Sequence, residues 1–211
     1  MNRYIKISFA GDAMLLGEEQ NRYIQRKNGV FYDYLKGLNP LIKESHYSVA
    51  NLETPVSPSQ ALTNHPIQFN SHKSFVEAIQ KTGFHFLSTA NNHCLDRGII
   101  GINETIDVLD TLGLDHSGTY QDEALSNQIF IKEICGIKIA IVCSTFGTNS
   151  QHNGILLQPQ DEWKVDLLKK QAKPRRYKFD PTGNNLTALK YLADDVSPAA
   201  ISNQIHFPYL K

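Results

Sequence analysis

Asp12, Glu53, Asn92 and His93 are the residues of this sequence best suited to chemistry, and Asp96 follows three places beyond the histidine. Carboxylates, an amide oxygen and an imidazole suit divalent Mn, Zn, Fe or Mg better than soft copper. One or two such ions could activate a water and neutralise the charge developing on a phosphoryl group. Asp12, Glu53 and Asn92 are the candidate ligands. His93 could also hold a metal, and with Asp96 three residues on it gives a donor–acceptor cluster at a loop. Each also has a plain reading: Gly-Asp as a turn, Glu before Thr-Pro as a solvated loop, Asn-Asn as an Asx turn.

What joins these residues is their position after short apolar runs. Residues 4–10 alternate as a first strand and stop at Gly11-Asp12. Residues 47–52 form a second strand before Glu53-Thr54-Pro55, and residues 84–89 a third before Asn91-Asn92-His93. A helical region, 31–45, is weakened by Gly37 and Pro40, and the proline-bearing stretch 56–66 is a loop. Ser74-Phe75-Val76-Glu77 has the form of a capping box, opening a helix that Gly83 closes. Ile99, Ile102, Ile106, Leu109 and Leu112 share one helical face ahead of Gly113. Residues 114–117 give a fourth strand. Residues 128–143 read as a hairpin turning near Cys135-Gly136. Strands alternating with helices predict an α/β fold, with a mainly parallel sheet flanked by helices and the β-hairpin added. Ligands of such sheets bind beyond the carboxyl ends of the strands, where all the candidate residues fall. In that setting His93 faces the open end of the sheet, and removing it is expected to change stability by less than about 1 kcal/mol.

The pattern divides the chain at about residue 150. Residues 1–150 carry the ordered pattern. Residues 151–211 do not: helices are expected at 161–171 and 186–194, the intervening loop is polar, and the stretch from 173 onward is expected to pack poorly.

Composition narrows the partners. The 21 basic and 21 acidic residues cancel, which argues against nucleic acid. No segment offers the ~20 apolar residues of a membrane span, and residues 1–6 lack a signal-peptide core, so the expected location is the cytoplasm. Cys94, Cys135 and Cys143 have neither disulfide nor zinc-knuckle spacing and read as ordinary thiols.

Four blocks in order resemble the CapA family. They are Gly11-Asp12-Ala13-Met14-Leu15, Asn51-Leu52-Glu53-Thr54-Pro55, the run Ala90-Asn91-Asn92-His93-Cys94-Leu95-Asp96-Arg97-Gly98, and Phe146-Gly147-Thr148-Asn149. That family comprises capsule-synthesis proteins linked to poly-γ-glutamate and placed with calcineurin-like metallophosphoesterases. The resemblance implies a metallophosphoesterase-like fold, a divalent metal site and an anionic polymer or phosphoester substrate. It implies Asp12 on the first metal, Glu53 in the bridging or second-metal position, Asn92 as an amide ligand, His93 beside the substrate as a general acid or transition-state donor, and Asp96 orienting the His93 ring. Arg97 would touch an anionic group. Relatives of capsule operons are commonly tethered outside the membrane. The family continues into a His-Trp-Gly-like and a Gly-His-x-x-His-like motif; here the tail offers His206 at a comparable distance and no Gly-His segment after Asn149. Two readings follow: a metal-dependent hydrolase, or a non-catalytic accessory protein that keeps part of the site.

Overall fold

A computed structural model describes residues 4–27, 31–62 and 68–171, which belong to one compact unit. Its centre is a four-stranded sheet in the order β1 (Ile7–Ala13), β2 (Tyr47–Leu52), β3 (Phe86–Ser88) and β4 (Asp115–Ser117). All three pairings are parallel, so the four carboxyl ends lie along one edge.

Side-chain alternation builds a layer on each face. Ala50, Leu52 and Leu87 face the helical layer with Phe31, Phe75, Val76, Ile79 and Leu109. That layer comprises α2 (Tyr32–Leu35), α3 (Asn39–Lys43), α4 (Lys73–Thr82) and part of α5 (Gly98–Thr111). Tyr47, Val49 and Phe86 face the other way, onto Phe130, Ile134, Ile139 and Ile141 of an antiparallel hairpin, β5 (Phe130–Ile134) and β6 (Ile137–Ile141). Its two-residue turn takes Cys135 and Gly136 to φ 51° and 80°, the left-handed pair that matches strand twist. A third cluster, with Cys94, Leu95, Ile102, Ile106, Leu157 and Val165, lies under the loop after β3.

The expected α/β class, parallel sheet and hairpin are all present, and several local expectations shift. β1 runs later than residues 4–10 because its pairing with β2 starts only at Ile7. The helix α1 (Gly17–Lys27) was not anticipated; its sequence is largely polar. The capping box at Ser74 does not form. Helix α4 begins one residue earlier, and His72 is its cap, its Nδ1 accepting from the Ser74 amide at 3.2 Å. The region 31–45 is broken at the 3-10 turn Lys36–Leu38. Instead of a helix at 161–171 there is a 3-10 turn, Pro159–Lys164, followed by extended chain that pairs Val165 with Thr119 and Leu167 with Thr145. Leu157 and Val165, beyond the ordered pattern that ends near residue 150, are buried. Residues 172–211, including the expected helix at 186–194 and His206, lie outside the described residues.

Two devices at the carboxyl edge position the site. The register between β1 and β2 passes from Phe9↔Val49 to Asp12↔Asn51, so β1 carries one extra residue. This bulge reverses the alternation. It puts Asp12 beside Asn51 and sends Ala13 inward with Leu52. After β4, Gly118 adopts φ 111°, and a Cβ there would stand 2.6 Å from the Ala90 amide nitrogen. Only glycine lets the chain after β4 pass this close to the start of the Asn-Asn-His loop.

Candidate functional site

Asp12 reaches the edge through the bulge, and Asn51 holds it there: Asn51 Nδ2 donates to Asp12 Oδ1 at 2.8 Å. Asn51 Oδ1 in turn accepts from Asn91 Nδ2 at 3.2 Å, and the same nitrogen donates to the Leu52 carbonyl at 2.7 Å. Asn91 Oδ1 accepts from the His93 amide at 3.0 Å, the Asx turn foreseen in the sequence. Amide groups thus link β1, β2 and the loop after β3. Asn91 is spent on this structure, while its half-buried neighbour Asn92 has an amide that no protein group takes up among the described residues.

Glu53 leaves β2 with its amide bonded to the Ala13 carbonyl at 3.1 Å. Its carboxyl is pushed above the usual range, first by burial, then by a hydrogen bond to Asp12 and by that residue's negative charge; His93 pulls the other way. The two carboxyls thus stand at the ends of paired strands, where the negative charge of Asp12 disfavours ionisation of Glu53.

The imidazole half is sealed. His93 is 9% exposed, and its ring lies 4.3 Å from the Phe69 ring, centroid to centroid. Nδ1 is 2.7 Å from Asp96 Oδ2, a buried oxygen that also accepts from the Phe69 amide at 2.8 Å. Nε2 stands 4.0 Å from Glu53 Oε1. With Nδ1 committed to a carboxylate, the neutral ring carries its proton there and presents the Nε2 lone pair toward the acids. His93 is therefore a packed residue, not one standing free at the sheet edge. Burial and pairing raise the expected cost of removing it above the 1 kcal/mol anticipated from sequence.

Asp12, Glu53, His93 and Asp96 come together, and Asn92 sits in their loop between two anchored neighbours. Arg97 is not tied to the group: its Nε and Nη2 are buried and without a hydrogen-bond partner. Burial lowers its pKa, against the pull of Asp96. Sequence reasoning gave no role to Asn51, Asn91, Phe69, Asn149 or Asn153. Asn51, Asn91 and Asn149 nevertheless lie within the sequence blocks quoted above, while Phe69 and Asn153 lie outside them.

Among the described residues no three His, Cys, Asp or Glu side chains form a metal-holding group. What the edge does offer is the Asp12 and Glu53 carboxyls at the ends of paired strands, with the Asn92 amide in the loop after β3. This all-oxygen set fits a hard divalent ion of the Mg or Mn kind. No helix among the described residues is long and apolar enough to cross a membrane.

The family model described as bacterial capsule synthesis protein PGA_cap matches residues 6–205. The chain belongs to this family. The capsule biosynthesis protein CapA of Bacillus anthracis is 25% identical over 198 residues, which is 87% of this chain and 44% of that protein. The PGA biosynthesis protein CapA of Bacillus subtilis strain 168 is 26% identical over 140 residues, 64% of this chain and 36% of that protein. An uncharacterized protein of Sinorhizobium fredii, y4sH, is 27% identical over 112 residues, half of this chain and 24% of its own length. The chain thus spans less than half the length of the curated relatives it matches. The family match runs past residue 149, where the four sequence blocks end, and so takes in most of the segment whose pattern is weak.

Proposed function

We propose that this PGA_cap protein is a metal-dependent hydrolase, phosphoesterase-like in chemistry, acting on an anionic polymer or phosphoester connected with the bacterial capsule. The observation that carries the reading is the position of Asp12 and Glu53 at paired strand ends, with Glu53 4.0 Å from a histidine whose Nδ1 is committed to a buried aspartate. Poly-γ-glutamate is the polymer that the names of the Bacillus relatives suggest, and its repeated carboxylates make it a polyanion.

Asp12, Glu53 and Asn92 would hold the ion or ions. A bound divalent ion supplies a nucleophilic water at neutral pH and stabilises negative charge in the transition state. The rest of the chemistry belongs to the chain. Asp96 keeps the proton of the neutral ring on Nδ1. Nε2, once protonated, would donate to the leaving oxygen on the side of the acids. Phe69 packs against the ring and excludes water from it. Asn51 and Asn91 fix the Asp12 carboxylate and the His93 backbone, so little reorganisation is left for the reaction itself.

Asp12→Asn tests the reading. Mn or Zn retention, by metal analysis after gel filtration, and phosphodiesterase turnover should both fall by an order of magnitude or more. Unchanged metal content in the variant would refute the role given to Asp12.

A second reading draws on the lack of a third His, Cys, Asp or Glu donor among the described residues. In that reading the chain is a non-catalytic accessory protein that binds a partner or polymer with part of the site. Stoichiometric metal together with turnover in the wild-type protein would exclude it.

A further inference from the structure

The one-turn helix Ser150–Asn153, together with the Asn149 that caps its start, brings two amide side chains, Asn149 and Asn153, to the buried histidine–aspartate pair. We propose that Asn153 is a positioning residue: by fixing the Asp96 carboxylate it sets which nitrogen of His93 is turned toward the acids. The proposal rests on the reading of His93 given above.

Asp96 Oδ2 serves two donors, His93 Nδ1 at 2.7 Å and the Phe69 amide at 2.8 Å, while Oδ1 accepts from Asn153 Nδ2 at 3.3 Å. A carboxylate held at one oxygen can still turn about its Cβ–Cγ bond; held at both, its plane is defined. The Asn153 amide is itself oriented by its neighbours. Its Oδ1 accepts from the Ile155 amide at 2.8 Å, and its Nδ2 also donates to the Thr148 carbonyl at 3.0 Å. Reversing that amide would set oxygen against two oxygens, so its NH2 group must face Asp96.

The start of the turn reinforces the arrangement. The Asn153 amide donates to the Asn149 carbonyl at 2.9 Å, closing the turn. Asn149 holds φ 52°, a left-handed conformation costly for a residue with a Cβ. Its Nδ2 lies 3.5 Å from both ring nitrogens of His93. Equal distances place that amide against the ring, in line with neither nitrogen, so it leaves Nε2 free. Asn149 thus packs on the imidazole while Asn153 secures the aspartate behind it. This also gives a reason for a strained asparagine at this position.

The test is nitrogen NMR of the histidine rings in the full chain, comparing wild type, Asn153→Ala and Asn153→Ser. Long-range correlations report which ring nitrogen carries the proton. Wild type should show His93 as a single Nδ1–H form with a slowly exchanging proton. Asn153→Ala should lose that single form and give mixed tautomers with a fast-exchanging proton. Asn153→Ser, which keeps a hydroxyl donor, should restore part of it, and it decides the matter by the same signal if the alanine variant does not fold. A wild-type spectrum retained in Asn153→Ala would overturn the proposal and leave the hydrolase reading standing. A wild-type His93 lacking the Nδ1–H form would overturn both. Loss of the form in the variant from a wild type without turnover would uphold the proposal while the hydrolase reading fails. Failure of both variants to fold would overturn the proposal by making Asn153 structural.

Discussion

The two halves of the site are built on opposite principles. On the acidic half Asp12 is exposed and steadied by one asparagine, and the Glu53 carboxyl beside it is pushed toward its protonated form. On the imidazole half both carboxylate oxygens are taken up: the Asp96 side chain is fully buried and accepts from His93, Phe69 and Asn153. The first half carries two carboxyls, one raising the pKa of the other, while in the second the Asp96 carboxylate already has its donors in place. A site divided in this way would gain its charge balance from what it binds while its geometry comes from packing. Damage to the two halves should therefore look different in stability measurements.

The largest effect is expected from Asp96→Ala. It strands two buried donors, His93 Nδ1 and the Phe69 amide, each worth ~1–3 kcal/mol when left unsatisfied, and takes one acceptor from the part-buried Asn153 side chain, so a loss of about 2 kcal/mol or more is expected. Urea denaturation measures it directly. A midpoint within error of wild type would mean that the pair is solvated in solution, and the contrast between the halves would collapse.

His93→Ala should come next, at ~1–3 kcal/mol. It frees Asp96 Oδ2 of one donor but leaves the Phe69 amide in place, and it removes the ring that Phe69 packs against. A loss below about 1 kcal/mol would restore the view that His93 stands free at the sheet edge.

This revision shows where sequence stops being informative. β2 could be read to the residue because both its faces are buried, so Tyr47, Val49, Ala50 and Leu52 must all be apolar. The hairpin was legible from β-branched runs around Cys135-Gly136, where a local turn sets the register. Helix α1 was not, because a polar residue anchors it: Gln20 is fully buried, donating to the Asn70 carbonyl and accepting from the His72 amide. In the site, strand ends revealed Asp12, Glu53 and His93, since topology alone brings such ends together. The amides that hold them act across long separations: Asn51 to Asp12, Asn91 to Asn51, Asn153 to Asp96. No periodicity records such contacts. The burial of His93 was hidden likewise, because Phe69 arrives from a loop whose sequence carries no periodic apolar pattern.

The smallest effect, and the one most specific to the acidic half, concerns pH. In the metal-free protein the folded-state pKa of Glu53 is raised above its ordinary 4.5. A carboxyl whose pKa rises on folding contributes stability that is fully present below its unfolded value and is lost as pH climbs through the folded one. Stability from this source should therefore decline from about pH 4.5 upward, the reverse of what a salt-bridged carboxylate does. Burial is the larger cause and Asp12 the next, so Asp12→Asn should remove part of the decline and leave the part due to burial. The difference should be a few tenths of a kcal/mol, in keeping with the ~0.2–1 kcal/mol of partly exposed charge pairs. Chelator-treated wild type and Asp12→Asn, unfolded in urea at pH 5 and pH 8, provide the comparison. The wild type should lose more than the variant between the two pH values, and added Mn should abolish that excess loss by stabilising both carboxylates at once. Equal losses in both proteins would mean that the two carboxyls do not sense each other, and the acidic half would then have no special need for a cation.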